Sequence, residues 1–317
     1  MRPGIAAVVC SGAFCGALAA TPARATDCSG SMSPCINDDA LWPHAGPAHF
    51  VAVGSAETVA QGHIGFGLVT SYLSRPVVLE LVSPGPSQGS TASVVDDQVN
   101  GSFLWSYGVT RRLELDLALA LTFGQGGTGL APVTGGAGLK DTAVRDTRFG
   151  FAYAIVGHER AAIDGAKLDG WGLVARFEVS APTGDRDQFA GERSGVFVPS
   201  VAGDYRSGHW FAGAELGARI RPITQLEDAR IGSQLVTALG AGYDILPHEW
   251  LAVAVEAWAL PTFVTPGEWQ LSIRSAPLRR GDLALQLGGG GGLPFGGDLA
   301  ITTPRFRFTL GLRWAPL

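Results

Sequence analysis

The hydrophobic pattern of this chain has a period of two. Over 113–123 the odd positions, Leu113, Leu115, Leu117, Leu119, Leu121 and Phe123, are large and apolar, while the even positions are acidic, small or hydroxylated. A strand puts alternate residues on opposite faces, whereas a helix would mix the two sets on one side. The alternation recurs over 103–109, 149–155, 171–179 and 306–314. It predicts twelve strands, at 62–74, 99–109, 112–124, 145–157, 170–181, 196–206, 209–221, 231–243, 250–260, 268–275, 282–292 and 304–315. Ten is the fallback if 268–275 and 282–292, near Pro266 and Pro277, belong to one long loop.

Short turns such as 108–112 alternate with long polar connections at 75–97, 124–143 and 182–195. Strands of about ten residues, joined this way, describe an all-β fold, a transmembrane antiparallel up-and-down β-barrel. A soluble β-sandwich also alternates, but it does not ask for aromatics near strand ends on the apolar face. Tyr72, Trp105, Tyr107, Trp171, Trp269 and Trp314 stand there, as an interfacial girdle requires. Past the N-terminus no apolar stretch reaches the ~20 residues of a spanning helix. Composition narrows the field further. Residues are 46% hydrophobic and only 16% charged with mean hydropathy +0.20, which excludes disorder. A net charge of -5 lacks the basic footprint of a nucleic-acid binder.

The first 25 residues read as a signal peptide. Arg2 is the positive start, 4–20 is apolar and small, and Ala23-Arg24-Ala25 fits the cleavage pattern. Cleavage after Ala25 and export to a Gram-negative outer membrane are the expectation. Export leaves Cys28 and Cys35 as a close pair in an oxidising compartment, expected to form a disulfide, since no further ligand lies at metal-site spacing. Residues 26–61, with Trp42 and Phe50 needing shelter, are expected to be a periplasmic strap on the barrel rim or a partial plug in its lumen. The barrel is expected over 62–317.

These features resemble bacterial outer-membrane barrels. The last strand, Phe306-x-Phe308-x-Leu310-x-Leu312-x-Trp314, resembles the signal read by the barrel-assembly machinery, displaced from the terminus by Ala315-Pro316-Leu317. The stretch Asp39-Ala40-Leu41-Trp42-Pro43-His44-Ala45-Gly46-Pro47, followed by Ser74-Arg75-Pro76, resembles the barrel half of OmpA-family proteins, here without the peptidoglycan-binding domain. The expected partners are therefore outer-membrane lipid and lipopolysaccharide and the assembly machinery, with no nucleic acid; the pattern is silent on oligomeric state.

Catalytic motifs do not complete themselves. Gly124-Gln125-Gly126-Gly127-Thr128-Gly129 matches a dinucleotide fingerprint, but no helix is predicted after it. His158-Glu159 and His248-Glu249 begin a zinc-protease motif, but Ala162 and Ala252 stand in the second histidine position. The run 288–292 is all glycine, as close packing or a bend would require. No cofactor, metal or enzyme activity is expected.

What remains is the lumen. If the large apolar residues face lipid, the inward set holds Glu114, Asp116, Glu178, Asp204, Glu215 and Glu256 with Arg148, Arg176, Arg219, Arg274, Arg305, Arg307 and Arg313. Six acids against seven arginines suggest cross-lumen ion pairs more than the single-sign ring of a selective pore. The expected function is a narrow passive channel for small solutes or a structural membrane protein. A transporter of hydrophobic compounds is the alternative, hinted at by Leu104, Val198, Trp250 and Trp258. An outer-membrane enzyme is the remaining rival.

Overall fold

A computed structural model describes residues 28, 30–81, 90–135, 138–156, 169–246, 249–262, 264–276, 283–295 and 299–316. The signal segment 1–25, His158-Glu159, His248 and the turn 277–281 lie outside these. Among the described residues there are fifteen strands: β1 (Ile64–Leu81), β2 (Ser90–Gly108), β3 (Leu113–Gly126), β4 (Ala143–Val144), β5 (Thr147–Val156), β6 (Gly170–Ala181), β7 (Val196–Ser207), β8 (Trp210–Arg219), β9 (Thr224–Leu226), β10 (Ala229–Ile231), β11 (Gln234–Leu246), β12 (Leu251–Ala259), β13 (Gly267–Ser275), β14 (Leu283–Gly292) and β15 (Phe306–Trp314).

Twelve of them close a barrel. Each pairs antiparallel with its neighbours, and β1 joins β2 on one side and β15 on the other, so no edge remains. They correspond to the twelve predicted strands, and the segment 268–275 is a true stave between β12 and β14. The glycine run forms the second half of β14, paired to β13 and β15 without a break. The face assignment follows the alternation. Leu115, Leu117 and Leu119 are exposed on the outer wall, while Glu114, Asp116 and Ala118 are buried inside. The girdle residues Tyr72, Tyr107, Trp171, Trp269 and Trp314 are exposed on the same outer surface.

Among the register shifts of the described strands, those at Val99/Asn100 and Ser74/Val77 bear on the faces and the cap. Between β2 and β3, Asn100 faces Thr122 but Val99 faces Gly124, so Phe123 is the extra residue. The bulge resets the phase: Phe123 stays outside and Gln125 turns inward. Between β1 and β2 the register shifts from Ser74 to Val77. The sequence reading ends the first strand at 74 and makes 75–97, with Pro76, a long polar connection. The bulge accommodates the proline, and the hairpin runs on to Leu81 and Ser90.

That extension helps to cap one end. Val77, Leu79, Val94 and Val95 pack with Leu130, Phe189, Leu226 and Ile231 around Ile36. The opposite end carries the short turns. Residues 30–62 start in this cap, where Met32 bridges Leu226 and Asn37 bridges Ala190. Cys28 and Cys35 are joined by a disulfide there. The segment then passes down the lumen and leaves at the short-turn end, where Gly62 N–H donates to Gly108 and Ala60 N–H to Pro316.

Candidate functional site

The lumen is built from the inward positions of the staves and from residues 37–59. Near the capped end Asp38 meets Arg145 at 2.9 Å and accepts from Gln98. Asp39 meets Arg307 at 2.9 Å and accepts from Asn100. Arg307 also pairs with Glu268 on β13 at 2.6 Å. Arg145 reaches the Asn37 side chain, Gln98, Asn100 and Thr122, so one guanidinium ties two staves to the segment.

One step down, the Trp42 ring lies between the guanidinium groups of Arg148 and Arg219, 4.4 and 4.9 Å from its centre. Its Nε1 donates to Glu178 at 2.7 Å. His44 sits between Glu178 and Glu215, with Nδ1 at 2.5 Å from one carboxylate and Nε2 at 3.1 Å from the other. Both ring nitrogens face acceptors, and both can donate only in the imidazolium form. Below it the chain reverses at Gly46, whose φ is +77°; a Cβ there would fall 2.5 Å from Glu114 Oε1, so only glycine fits.

The next layer is apolar. Phe50, Val51 and Val53 pack with Leu104, Phe211, Ala238, Ala252, Ala254 and Trp258. At the short-turn end Arg206 pairs with Asp244 and Glu249, and Glu249 also pairs with Arg274 at 2.6 Å.

The inward charges mostly hold the backbone of the segment. Glu256 accepts the N–H groups of Val51 and Ala52, Glu215 that of Gly54, Asp204 that of Ala56 and Glu114 that of Val59. In the other direction Arg219 donates to Ala40 O, Arg148 to Pro43 O, Arg313 to His44 O and Arg176 to Ser55 O. Between Asn37 and Gln61 no strand pairing holds this segment among the described residues. The main-chain groups just named are satisfied by side chains of the wall, and those of Asp39, Leu41 and Glu57 by side chains within the segment, in keeping with burial.

Ion pairs between wall residues are present, Arg307 with Glu268, Arg206 with Asp244 and Arg274 with Glu249, but they are one part of the arrangement. Two pairs within the expected set are loose, Asp116 with Arg176 at 3.7 Å and Arg148 with Glu178 at 4.0 Å, and the same Arg176 and Arg148 make shorter contacts to the segment. A wall charge facing an unpaired peptide group gains a charge-assisted hydrogen bond over a short, fixed distance. Arg305 also departs from the expectation: it precedes β15 and its side chain is exposed, because the strand that would turn it inward begins at Phe306. Of the four apolar lumen candidates, Leu104, Val198 and Trp258 are buried, whereas Trp250 is exposed at a strand end.

Sequence reasoning missed Arg145, Arg206, Asp244, Glu249 and Glu268, all buried. Glu268 was findable, since it shares the parity of the inward Arg274. Arg145 was not: the predicted strand 145–157 gives it the outward parity of Phe149, but β5 begins at Thr147 and Arg145 lies before it, buried. The dinucleotide-like run 124–129 continues the end of β3 and is followed by one short helical turn, Ala131–Thr134.

A family model described as "Putative MetA-pathway of phenol degradation" matches residues 87–307. No curated protein matches the chain. Among solved structures, an outer membrane channel from Pseudomonas putida F1 aligns with a TM-score of 0.54 at 15% identity, over 82% of this chain and 97% of that one. Outer membrane phospholipase A from Escherichia coli gives 0.37 at 10% identity, over 81% and 94%. The Pseudomonas putida toluene transporter TodX gives 0.35 at 11% identity, over 90% and 96%. The first shares the fold; the other two superpose too loosely to add to it.

Proposed function

The chain belongs to the family described as putative MetA-pathway of phenol degradation, and from that premise we propose that it is an outer-membrane channel for small solutes, closed at rest by its own N-terminal segment. The observation that carries this reading is how the segment is held. Its peptide groups meet carboxylates and guanidinium groups of the wall, with no strand ladder between Asn37 and Gln61 among the described residues. Side-chain contacts of this kind can be exchanged for water one at a time, whereas a ladder is cooperative. The channel name of the Pseudomonas putida F1 relative agrees with this reading. The family description points to small aromatic molecules as the solute class. The apolar layer at Phe50, Phe211 and Trp258 supports that class over sugars or inorganic ions.

The test is flux. Proteoliposomes holding the parent protein are compared with ones holding Arg148→Ser/Arg313→Ser, which frees Pro43 O and His44 O. The variant should admit phenol faster and show larger or more frequent conductance steps in planar bilayers. If both proteins are impermeable to phenol and to ions, the channel reading fails. A second, structural reading is favoured by Arg145 and Arg307, which each join staves to the segment. In that reading, to which the OmpA-like stretch 39–47 also lends itself, the segment is a permanent internal brace. Impermeability of both proteins with a sharply lowered heat resistance in the variant would support it.

A further inference from the structure

Phe50 fills a slot that two staves are shaped to leave open. On β8 and β11 the inward residues Gly213 and Gly240 stand directly opposite each other in the register. A Cβ at Gly240 would fall 2.5 Å from the Phe50 ring and one at Gly213 3.0 Å from it. The wall here is therefore bare backbone, recessed by one side chain on each strand. Phe211 closes the slot below, with its ring centre 5.5 Å from that of Phe50 at a 46° tilt, a favourable aromatic geometry. Phe50 is 3% exposed, so the slot is filled by one phenyl ring.

The occupant belongs to the segment and not to the wall. The flanking Val51 and Ala52 N–H groups rest on Glu256, and the Phe50 ring has no covalent tie to either stave. An emptied slot lined by aromatic and aliphatic groups takes up a ring of matching shape. Neither strand needs its glycine for a turn; both sit within regular pairing. A glycine pair in mid-strand weakens a sheet and commonly marks a close approach.

We propose that the Gly213–Gly240–Phe211 slot is a binding site for a monocyclic aromatic molecule, and that Phe50 is its resting occupant. Solute and segment then compete for one place. A ring that enters the slot displaces Phe50, and with it the stretch that closes the lumen. This rests on the channel reading above and adds to it the place where the solute is recognised.

The probe is phenol, titrated calorimetrically into the purified full-length protein against a detergent blank. Phe50→Ala empties the slot and should bind phenol about tenfold more tightly than the parent, a difference of about 1.4 kcal/mol. Phe50→Ala/Gly240→Val refills the slot from the wall and should return to the parent's value. Phe50→Leu keeps most of the volume and should gain less. A gel shift on heating verifies that each barrel is folded. If Phe50→Ala does not fold, Phe50→Leu decides, and no gain there overturns the proposal. Equal binding by Phe50→Ala and the double variant overturns it as well. Phenol flux through the parent without any slot effect sinks the slot and leaves the channel. A slot effect with no flux in any variant does the reverse.

Discussion

Arg307 has no exposed surface and pairs at once with Glu268 on β13 and with Asp39 of the N-terminal segment. Removing one partner from such a group strands the others as buried charge, at a cost of about 3–5 kcal/mol. Arg307→Ser should therefore lower the temperature at which the folded band is lost. Arg305→Ser should not, because that side chain is exposed. Equal effects from the two would show that the buried pair adds no stability. The outer wall follows a different rule. Leu117 is exposed near mid-strand, so Leu117→Arg places a charge in hydrocarbon at about 2–4 kcal/mol and should reduce barrel assembly. Its neighbour Ala118 is buried against the apolar layer that includes Leu41 and Phe50. A wet lumen would tolerate Ala118→Arg, but here the arginine must push the segment aside. The expected outcome is a folded barrel with raised conductance, measured in planar bilayers.

At the scale of elements, the cap is fastened by a residue outside the staves. Asp146 lies between β4 and β5 and accepts N–H groups from Gly184 and Glu192 at 2.8 Å each. It thereby pins the long connection between β6 and β7. Burial pushes its carboxyl up to about 6, with those two N–H groups opposing the rise. The folded form thus holds a proton that the unfolded chain gives up near 3.8. Proton-linked stability is full below that value and is lost as pH rises through about 6. Asp146→Asn removes the titration. The parent's heat resistance relative to this variant should fall between pH 4.5 and 7, by roughly what the titration of one carboxyl allows. A constant difference over that range would exclude Asp146 as the titrating group. The β1–β2 hairpin contributes to the same cap through Val77, Leu79, Val94 and Val95. Truncating it acts on the entrance without touching the lumen charges.

The whole molecule is a closed sheet with an apolar outer belt and a filled interior. Such a barrel has its backbone groups satisfied around the ring and can sit in hydrocarbon without an edge. It should fractionate with the outer membrane, start after Ala25, and migrate differently before and after boiling. Recovery as a soluble periplasmic protein would contradict the membrane reading. The filled interior also gives the molecule two separable stabilities, that of the sheet and that of the segment within it. Variants at Trp42 and His44 act on the second, since both belong to the segment and their side chains hold it to Glu178 and Glu215 of the wall.

The alternation of leucine with acid, alanine or threonine over 113–123 was enough to determine a strand, its two faces and which of them meets lipid. That is a local property, set by the two-residue repeat of extended backbone, and it extends around the ring. The inward parity of Glu114, Asp116, Arg148, Arg176, Glu178, Glu215, Arg219, Glu256, Arg274, Arg307 and Arg313 was legible for the same reason. The partners of these charges were not. Glu256 and Arg313 face peptide groups of Val51 and His44, and every residue carries such groups, so no residue type in the segment announces the match. Nor did anything in 30–62 mark its route, since a chain without a repeat has no face to assign. Arg305 shows the limit from the other side: its parity pointed inward, but the strand begins one residue later. Only the registers, which set Gly213 opposite Gly240, and the closing of the ring, which sets β15 beside β1, decided what the lumen encloses. The physical reason is that periodicity reports which way a side chain points, while occupancy depends on long-range distances that closure alone sets.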